Sequence, residues 1–222
     1  MTSQNQPDLP NRDARETVCT YGREMLEKGL TKSTGGNVSS RTAEGNIAIS
    51  PSGMPYPEID PEEVPIIDLD GNVVHEGEKP SNEDTMHRLV YEARDDVGGM
   101  VHTHSPYAST FASLNEPVEA SHYLIAFIGD KIPVAGYETY GTEALGQRAV
   151  EALGDEYNAC LLANHGVLAL GDSLSDALET AEMVEYCARI HYQARSIGEP
   201  DLLPNEEVDH LQEKFKGYGQ NS

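Results

Sequence analysis

Two histidines two residues apart, in Val101-His102-Thr103-His104-Ser105-Pro106, and a third sixty-one residues after His104, in Asn164-His165-Gly166, restrict how this chain can fold. Side chains alternate faces along a β-strand, so His102 and His104 point the same way and their imidazoles can meet one ion at about 2.0–2.1 Å. A third imidazole from another strand fills three positions of a tetrahedral shell and leaves the fourth open to water or substrate. That open position separates a catalytic metal site from a closed structural one. His-x-His pairs also occur on half-buried strands that bind nothing. The metal reading gains from its company in chain order: Glu83-x-x-x-His87 upstream, polar glycine-containing loops, and the separate Asn164-His165-Gly166 turn.

Charge narrows the partners. Fifteen basic against thirty-eight acidic residues give a formal net charge of −23 over 222 residues, a balance that repels nucleic acid and anionic membranes. Only six of the basic residues are lysines, and acidic clusters recur at 58–63, 95–96, 151–156 and 206–209, so the excess is spread over the chain. At molar salt the Debye length falls to about 3 Å, which screens such a surface from itself. The composition reads as that of a salt-adapted, halophilic, cytoplasmic protein. Cys19, Cys160 and Cys187 are too few and scattered for a disulfide framework and read as buried apolar filler. Neither a signal-peptide stretch nor an apolar run of about 18 residues is present. The length suits one domain, residues 1–222, with a sizeable core.

Along the chain, residues 1–12 read as a mobile lead-in, and a helix begins near Asp13 as its cap. Ala14, Val18, Tyr21, Met25 and Leu26 carry its helical spacing, and Gly29 marks its end. A loop is expected over 33–39, then short strands at 46–50 and 66–69, the second turning at Asp70-Gly71 into Val73-Val74 as an antiparallel hairpin. A helix over 83–94 is expected to turn Met86, Leu89, Val90 and Ala93 inward. Beyond the histidine strand, further strands are expected at 132–137, 159–163 and 167–170, with a helix over 142–153. Ser173 caps the longest helix, which runs to about Ser196. Its stripe of Leu178, Met183, Val184 and Ile190 reads as core or subunit contact rather than a cofactor box. From 198 to 222 the chain is a polar tail with short helical potential. The expected architecture is α/β, a central, mostly antiparallel sheet flanked by helices in three layers.

In Gly35-Gly36-Asn37-Val38-Ser39, Ile49-Ser50-Pro51-Ser52-Gly53-Met54-Pro55-Tyr56, Ser81-Asn82-Glu83, His102-Thr103-His104, His165-Gly166 and Lys214-Phe215-Lys216-Gly217-Tyr218-Gly219, the chain resembles the class II, zinc-dependent sugar-phosphate aldolases of the aldolase/adducin superfamily, typified by L-fuculose-1-phosphate aldolases. The resemblance implies one Zn2+ per subunit on His102, His104 and His165, with Glu83 as the base and as a possible fourth ligand of the empty site. It implies phosphate binding by Gly36, Asn37, Ser52, Gly53, Ser81 and Asn82. Tyr123 would exchange the proton of the aldehyde oxygen, and Tyr218, in a C-terminal tail, would close over the site. It also implies a homotetramer with sites between subunits. One departure is that Asn82 stands where the family usually has a second serine.

The residue types suit the chemistry. Cleaving a ketose phosphate leaves a carbanion, which needs its charge moved onto an oxygen held by a Lewis acid while a carboxylate exchanges the proton. The products would be dihydroxyacetone phosphate and a short aldehyde such as L-lactaldehyde. Lys32, Lys79 and Lys131 lie in polar surroundings, so a Schiff-base route lacks its desolvated amine. Small residues in the three loops let backbone amides approach an anion; each loop taken singly is also an ordinary turn. Glu83 also suits a helix start, where its charge meets the positive end of the dipole, and a tyrosine such as Tyr123 also packs for its own sake. L-ribulose-5-phosphate 4-epimerases and methylthioribulose-phosphate dehydratases share the scaffold, and adducin heads share it without the chemistry. A glutamate at 83, where the epimerases carry aspartate, favours carbon–carbon cleavage, and the intact triad opposes a silent scaffold. His75, His87, His122, His191 and His210 are left as surface or structural histidines, with His87, one turn after Glu83, placed to orient local polar groups.

Overall fold

The computed structural model describes residues 9–215. Eight strands form one sheet: β1 (Asn37–Arg41), β2 (Ile47–Ile49), β3 (Ile66–Ile67), β4 (Val73–His75), β5 (Gly99–Thr103), β6 (Val134–Ala135), β7 (Ala159–Leu162) and β8 (Gly166–Gly171). Their spatial order is β4-β3-β2-β1-β5-β8-β7-β6, and every neighbouring pair is antiparallel except β6 with β7. Helices α1 (Arg12–Glu27), α3 (Pro106–Leu114) and α5 (Leu174–Ile197) cover one face; α2 (Asp84–Ala93) and α4 (Glu143–Leu153) cover the other. Helix α6 (Asn205–Phe215) packs on a 3-10 turn at Tyr123–Phe127. This is the α/β three-layer fold expected, with cores on both faces of a mostly antiparallel sheet. The alternation is visible in β5, where Val101 enters the α1/α3/α5 core and Met100 the α2/α4 core.

Several local readings hold. The β3–β4 hairpin turns through Gly71 at φ 88°. The Thr142 hydroxyl accepts from the Leu145 amide at the start of α4, and that of Ser173 from the Asp176 amide at the start of α5. The three cysteines are buried and unpaired. Among the described residues, no helix is long and apolar enough to cross a membrane.

The differences have physical causes. Helix α1 begins at Arg12, with Asn11 rather than Asp13 before it in the left-handed region, while Asp13 sits in the first turn. The loop expected over 33–39 ends at Gly36, because Asn37–Arg41 is a strand hydrogen-bonded on both sides, to β2 and β5. Asn, Ser and Arg have little strand propensity of their own, and pairing on both edges overrides it. On α2, Met86 and Val90 are buried as expected, but Ala93 is exposed and the polar His87 and Tyr91 take the inward stripe. The strand expected over 132–137 shortens to two residues. Helix α3 was not foreseen: Pro106 occupies its first turn, and the Glu185 carboxylate on α5 accepts from the Tyr107 and Ala108 amides at 3.0–3.1 Å. A carboxylate 78 residues away thus anchors the segment that follows His104.

Candidate metal centre and anion pocket

Sheet register brings the histidines together. His102 lies opposite Leu168 on β8 and opposite Asn37 on β1. His165 sits in the tight β7–β8 turn beside Asn164, which adopts φ 55°. Two glycines permit the close approach: a Cβ at Gly36 would lie 2.4 Å from the His102 carbonyl oxygen, and one at Gly166 would lie 2.3 Å from that of Thr103.

His102 Nε2 and His104 Nε2 are 3.1 Å apart, and one ligand nitrogen from each of the three histidines lies within 4.8 Å of the others. Donors sharing a tetrahedral ion at 2.0–2.1 Å lie about 3.3 Å apart, so the cluster is close to a shared coordination shell. His102 donates from Nδ1 to the Val167 carbonyl at 2.7 Å, which leaves its Nε2 lone pair facing the cluster. Burial lowers the His102 pKa to about 4, against the opposing pull of Glu83; burial likewise lowers that of His104. Both imidazoles are therefore neutral at neutral pH, the state that ligates metal.

Glu83 precedes α2 and reaches the same place, with Oε2 3.3 Å from His102 Nε2 and Oε1 3.5 Å from His165 Nε2. Burial opposes its charge, but attraction to His102 and His165 and a hydrogen bond from Asn37 outweigh that and hold the carboxyl below its usual range. Asn37 Nδ2 donates to Oε2 at 2.8 Å. Oε1 is buried with no hydrogen-bond partner, an expensive arrangement for a carboxylate. Three clustered imidazoles beside a buried, half-satisfied carboxylate fit a divalent metal.

A cavity of about 360 Å³ opens beside His104, His165 and Glu83. Its wall collects three segments distant in sequence: Thr34 to Asn37, Pro51 to Gly53, and Ser81-Asn82. All six residues proposed for phosphate thus line the one pocket. Gly36 and Gly53 have φ of 68° and 72°, conformations that turn backbone amides toward a ligand at little cost to glycine. Lys79 Nζ donates to Asn82 Oδ1 at 2.9 Å, which leaves the Asn82 Nδ2 as donor and puts a positive charge at the rim.

Tyr123 does not line this pocket. Its half-exposed ring lies against His122 and Phe215. Tyr218 lies outside the described residues. Tyr140 does line the pocket and was not singled out from the sequence. The signal it left is Tyr140-Gly141-Thr142 before α4: Gly141 has φ 73°, and a Cβ there would lie 2.7 Å from the Asn82 carbonyl oxygen, so the turn presses on the anion loop.

The family model of the class II aldolase and adducin N-terminal domain matches residues 16–192. A 5-deoxy-D-ribulose 1-phosphate aldolase of Bacillus thuringiensis serovar kurstaki is 50% identical over 207 residues, 93% of this chain and 97% of its own. An L-fuculose phosphate aldolase of Escherichia coli K12 is 38% identical over 212 residues, 94% of this chain and 96% of its own. A solved L-fuculose 1-phosphate aldolase superposes with a TM-score of 0.89 at 42% identity, covering 97% of this chain and 98% of that one.

Proposed function

The chain belongs to the class II aldolase family and is an aldehyde-lyase, and from that premise we propose that it cleaves a ketose 1-phosphate reversibly into dihydroxyacetone phosphate and a short aldehyde, with zinc as its metal. The observation that supports this reading most is that a cluster of three imidazoles and a buried carboxylate with an unpartnered oxygen adjoins one pocket walled by three anion-suited loops. Fifty per cent identity to a 5-deoxy-D-ribulose 1-phosphate aldolase, against 38% and 42% to two fuculose phosphate aldolases, favours 5-deoxyribulose 1-phosphate, and hence acetaldehyde, over L-fuculose 1-phosphate and L-lactaldehyde.

His102, His104 and His165 would hold a divalent metal, which when bound would supply Lewis acidity toward the ketose carbonyl. Gly36, Asn37, Ser52, Gly53, Ser81 and Asn82 hold the phosphate and so fix the distance of the scissile C3–C4 bond from Glu83. In the condensation direction the Glu83 carboxylate takes a proton from C3 of dihydroxyacetone phosphate, and a tyrosine hydroxyl gives its proton to the aldehyde oxygen as the C3–C4 bond forms; cleavage runs the same two transfers in reverse. Tyr123 lies away from its own pocket, which supports its serving a neighbouring subunit in a homotetramer, with Tyr218 in the closing tail. The working unit is proposed as one domain over 1–222, cytoplasmic and salt-adapted.

The test is dihydroxyacetone phosphate release from 5-deoxy-D-ribulose, L-fuculose and L-ribulose 1-phosphates in molar KCl, before and after chelation and zinc restoration. Release abolished by chelator and restored by zinc is expected, fastest with the 5-deoxy sugar. No release from a zinc-loaded protein would remove the reading and turn attention to epimerisation or dehydration.

A further inference from the structure

Helix α2 runs over β1 with matched spacing. Four residues of helix advance about 6 Å, and two residues of strand about 6.8 Å. Glu83, His87 and Tyr91 therefore form a stripe that interleaves with Asn37 and Ser39. The contacts are a continuous buried chain: Asn37 Nδ2 to Glu83 Oε2 at 2.8 Å, His87 Nε2 to Asn37 Oδ1 at 2.5 Å, Ser39 Oγ to His87 Nδ1 at 2.7 Å, and Ser39 Oγ to Tyr91 OH at 3.1 Å. His87, Ser39 and Tyr91 have no measurable exposure.

Each donor in this chain has one choice. A carboxylate only accepts, so the Asn37 amide must face Glu83 with its NH2 and His87 with its oxygen. His87 must then carry its proton on Nε2. Its bare Nδ1 accepts from the Ser39 hydroxyl, whose oxygen accepts from Tyr91. Arg41 closes the far end, its guanidinium 4.6 Å over the Tyr91 ring and donating to the Tyr91 carbonyl.

We infer that His87 is a positioning residue: through Asn37 it anchors Glu83 by Oε2 and leaves Oε1 as the oxygen that carries the proton, with Ser39 and Tyr91 fixing His87 in turn. The inference rests on Glu83 being the base. It leaves the second N–H of Asn37 for the phosphate, which five other pocket residues also hold, so the chain acts on the base rather than on substrate anchoring. Ordinary core packing explains a buried apolar residue at 87. It does not explain a buried imidazole whose two nitrogens are both spent on a line ending at Glu83.

The experiment compares His87→Leu, His87→Gln, Ser39→Ala and Glu83→Gln in the full chain, reading kcat and KM for dihydroxyacetone phosphate release, bound zinc and melting temperature. Nitrogen-15 NMR of histidine-labelled protein reads the tautomer of the resonance that His87→Leu or His87→Gln removes. Loss of an orienting partner typically costs about 10–100-fold in activity, and that fall is expected in kcat for His87→Leu, with KM and bound zinc unchanged. His87→Gln keeps a donor toward Asn37 and is expected to recover most of the loss; the NMR is expected to show Nε2–H and a bare Nδ1. Wild-type kcat in folded His87→Leu, an equal loss in kcat, KM and zinc, or a proton on Nδ1 would each overturn the inference. If His87→Leu does not fold, Ser39→Ala decides, with a lower kcat at constant KM expected and an unchanged kcat overturning it. Glu83→Gln with wild-type kcat would remove the base reading and this inference together, whereas an inactive Glu83→Gln beside a fully active His87→Leu would remove this inference alone.

Discussion

His102 donates from Nδ1 to the carbonyl of Val167 on the neighbouring strand at 2.7 Å, so the sheet itself orients a metal-facing imidazole. That bond sets the tautomer before any ion arrives. His102→Ala is expected to lower zinc affinity by more than the roughly 10–100-fold typical of losing a supporting residue, and to abolish cleavage. Metal titration monitored with a competing chelator measures this, and unchanged affinity would exclude His102 as a ligand.

Gly36 has φ 68° and no room for a side chain, its Cβ position being 2.4 Å from the His102 carbonyl. Gly36→Ala is expected to destabilise the protein by about 1–3 kcal/mol through backbone strain alone, and to displace the His102 strand as well. Urea unfolding and zinc content together test it. A stable, zinc-replete variant would mean that the loop relaxes freely.

Acid should destabilise the metal-free protein. Burial lowers the pKa of His87 from 6.5 to about 3 and that of His102 from 6.5 to about 4. Below 6.5 the unfolded chain takes up protons that these buried rings refuse, so stability falls as pH drops from about 6 towards 4, by at most roughly 3 kcal/mol per unit for the two groups. Glu83, held below its ordinary 4.5, adds to the same trend at lower pH. Urea melts of chelated protein at pH 7, 6 and 5 give the slope, and a flat profile over that range would contradict neutral burial.

The amide of Asn82 lines the anion pocket, with its oxygen engaged by Lys79. Asn82→Asp replaces a donor with a negative charge. Loss of a charged hydrogen bond is worth about 1.5–3 kcal/mol, so KM for the sugar phosphate should rise about 10–100-fold while kcat changes less. Initial-rate kinetics separate the two, and an unaltered KM would place the phosphate elsewhere.

A net charge of −23 sets the folded chain against its own self-repulsion. Raising KCl from 0.1 M to 1 M shortens the Debye length from about 10 Å to about 3 Å, and the melting temperature is expected to rise with it. Light scattering across the same series is expected to give a tetramer mass at high salt. Full stability in dilute buffer would count against salt adaptation.

The triad was legible in the sequence because two histidines two residues apart in extended backbone can face one point; the strand itself ends at Thr103, and His104 follows it with Nε2 3.1 Å from that of His102. Helix ends at Thr142 and Ser173 were legible for a similar reason, since a capping hydroxyl acts within its own turn. The glycine-bearing loops read from the sequence line one pocket, and the matched family model agrees with the family read from those motifs.

What the sequence determined by itself was local: which residues share a face, where helices start, and which side chains can ligate or donate. Tertiary structure alone decided that Asn37–Arg41 is a central strand rather than loop, that His87 and Tyr91 turn inward, that Glu185 caps α3, and that Tyr140 joins the pocket. Each of these depends on partners far along the chain. A polar segment becomes a strand when both edges are paired, and a histidine can be buried once each ring nitrogen has found a bond.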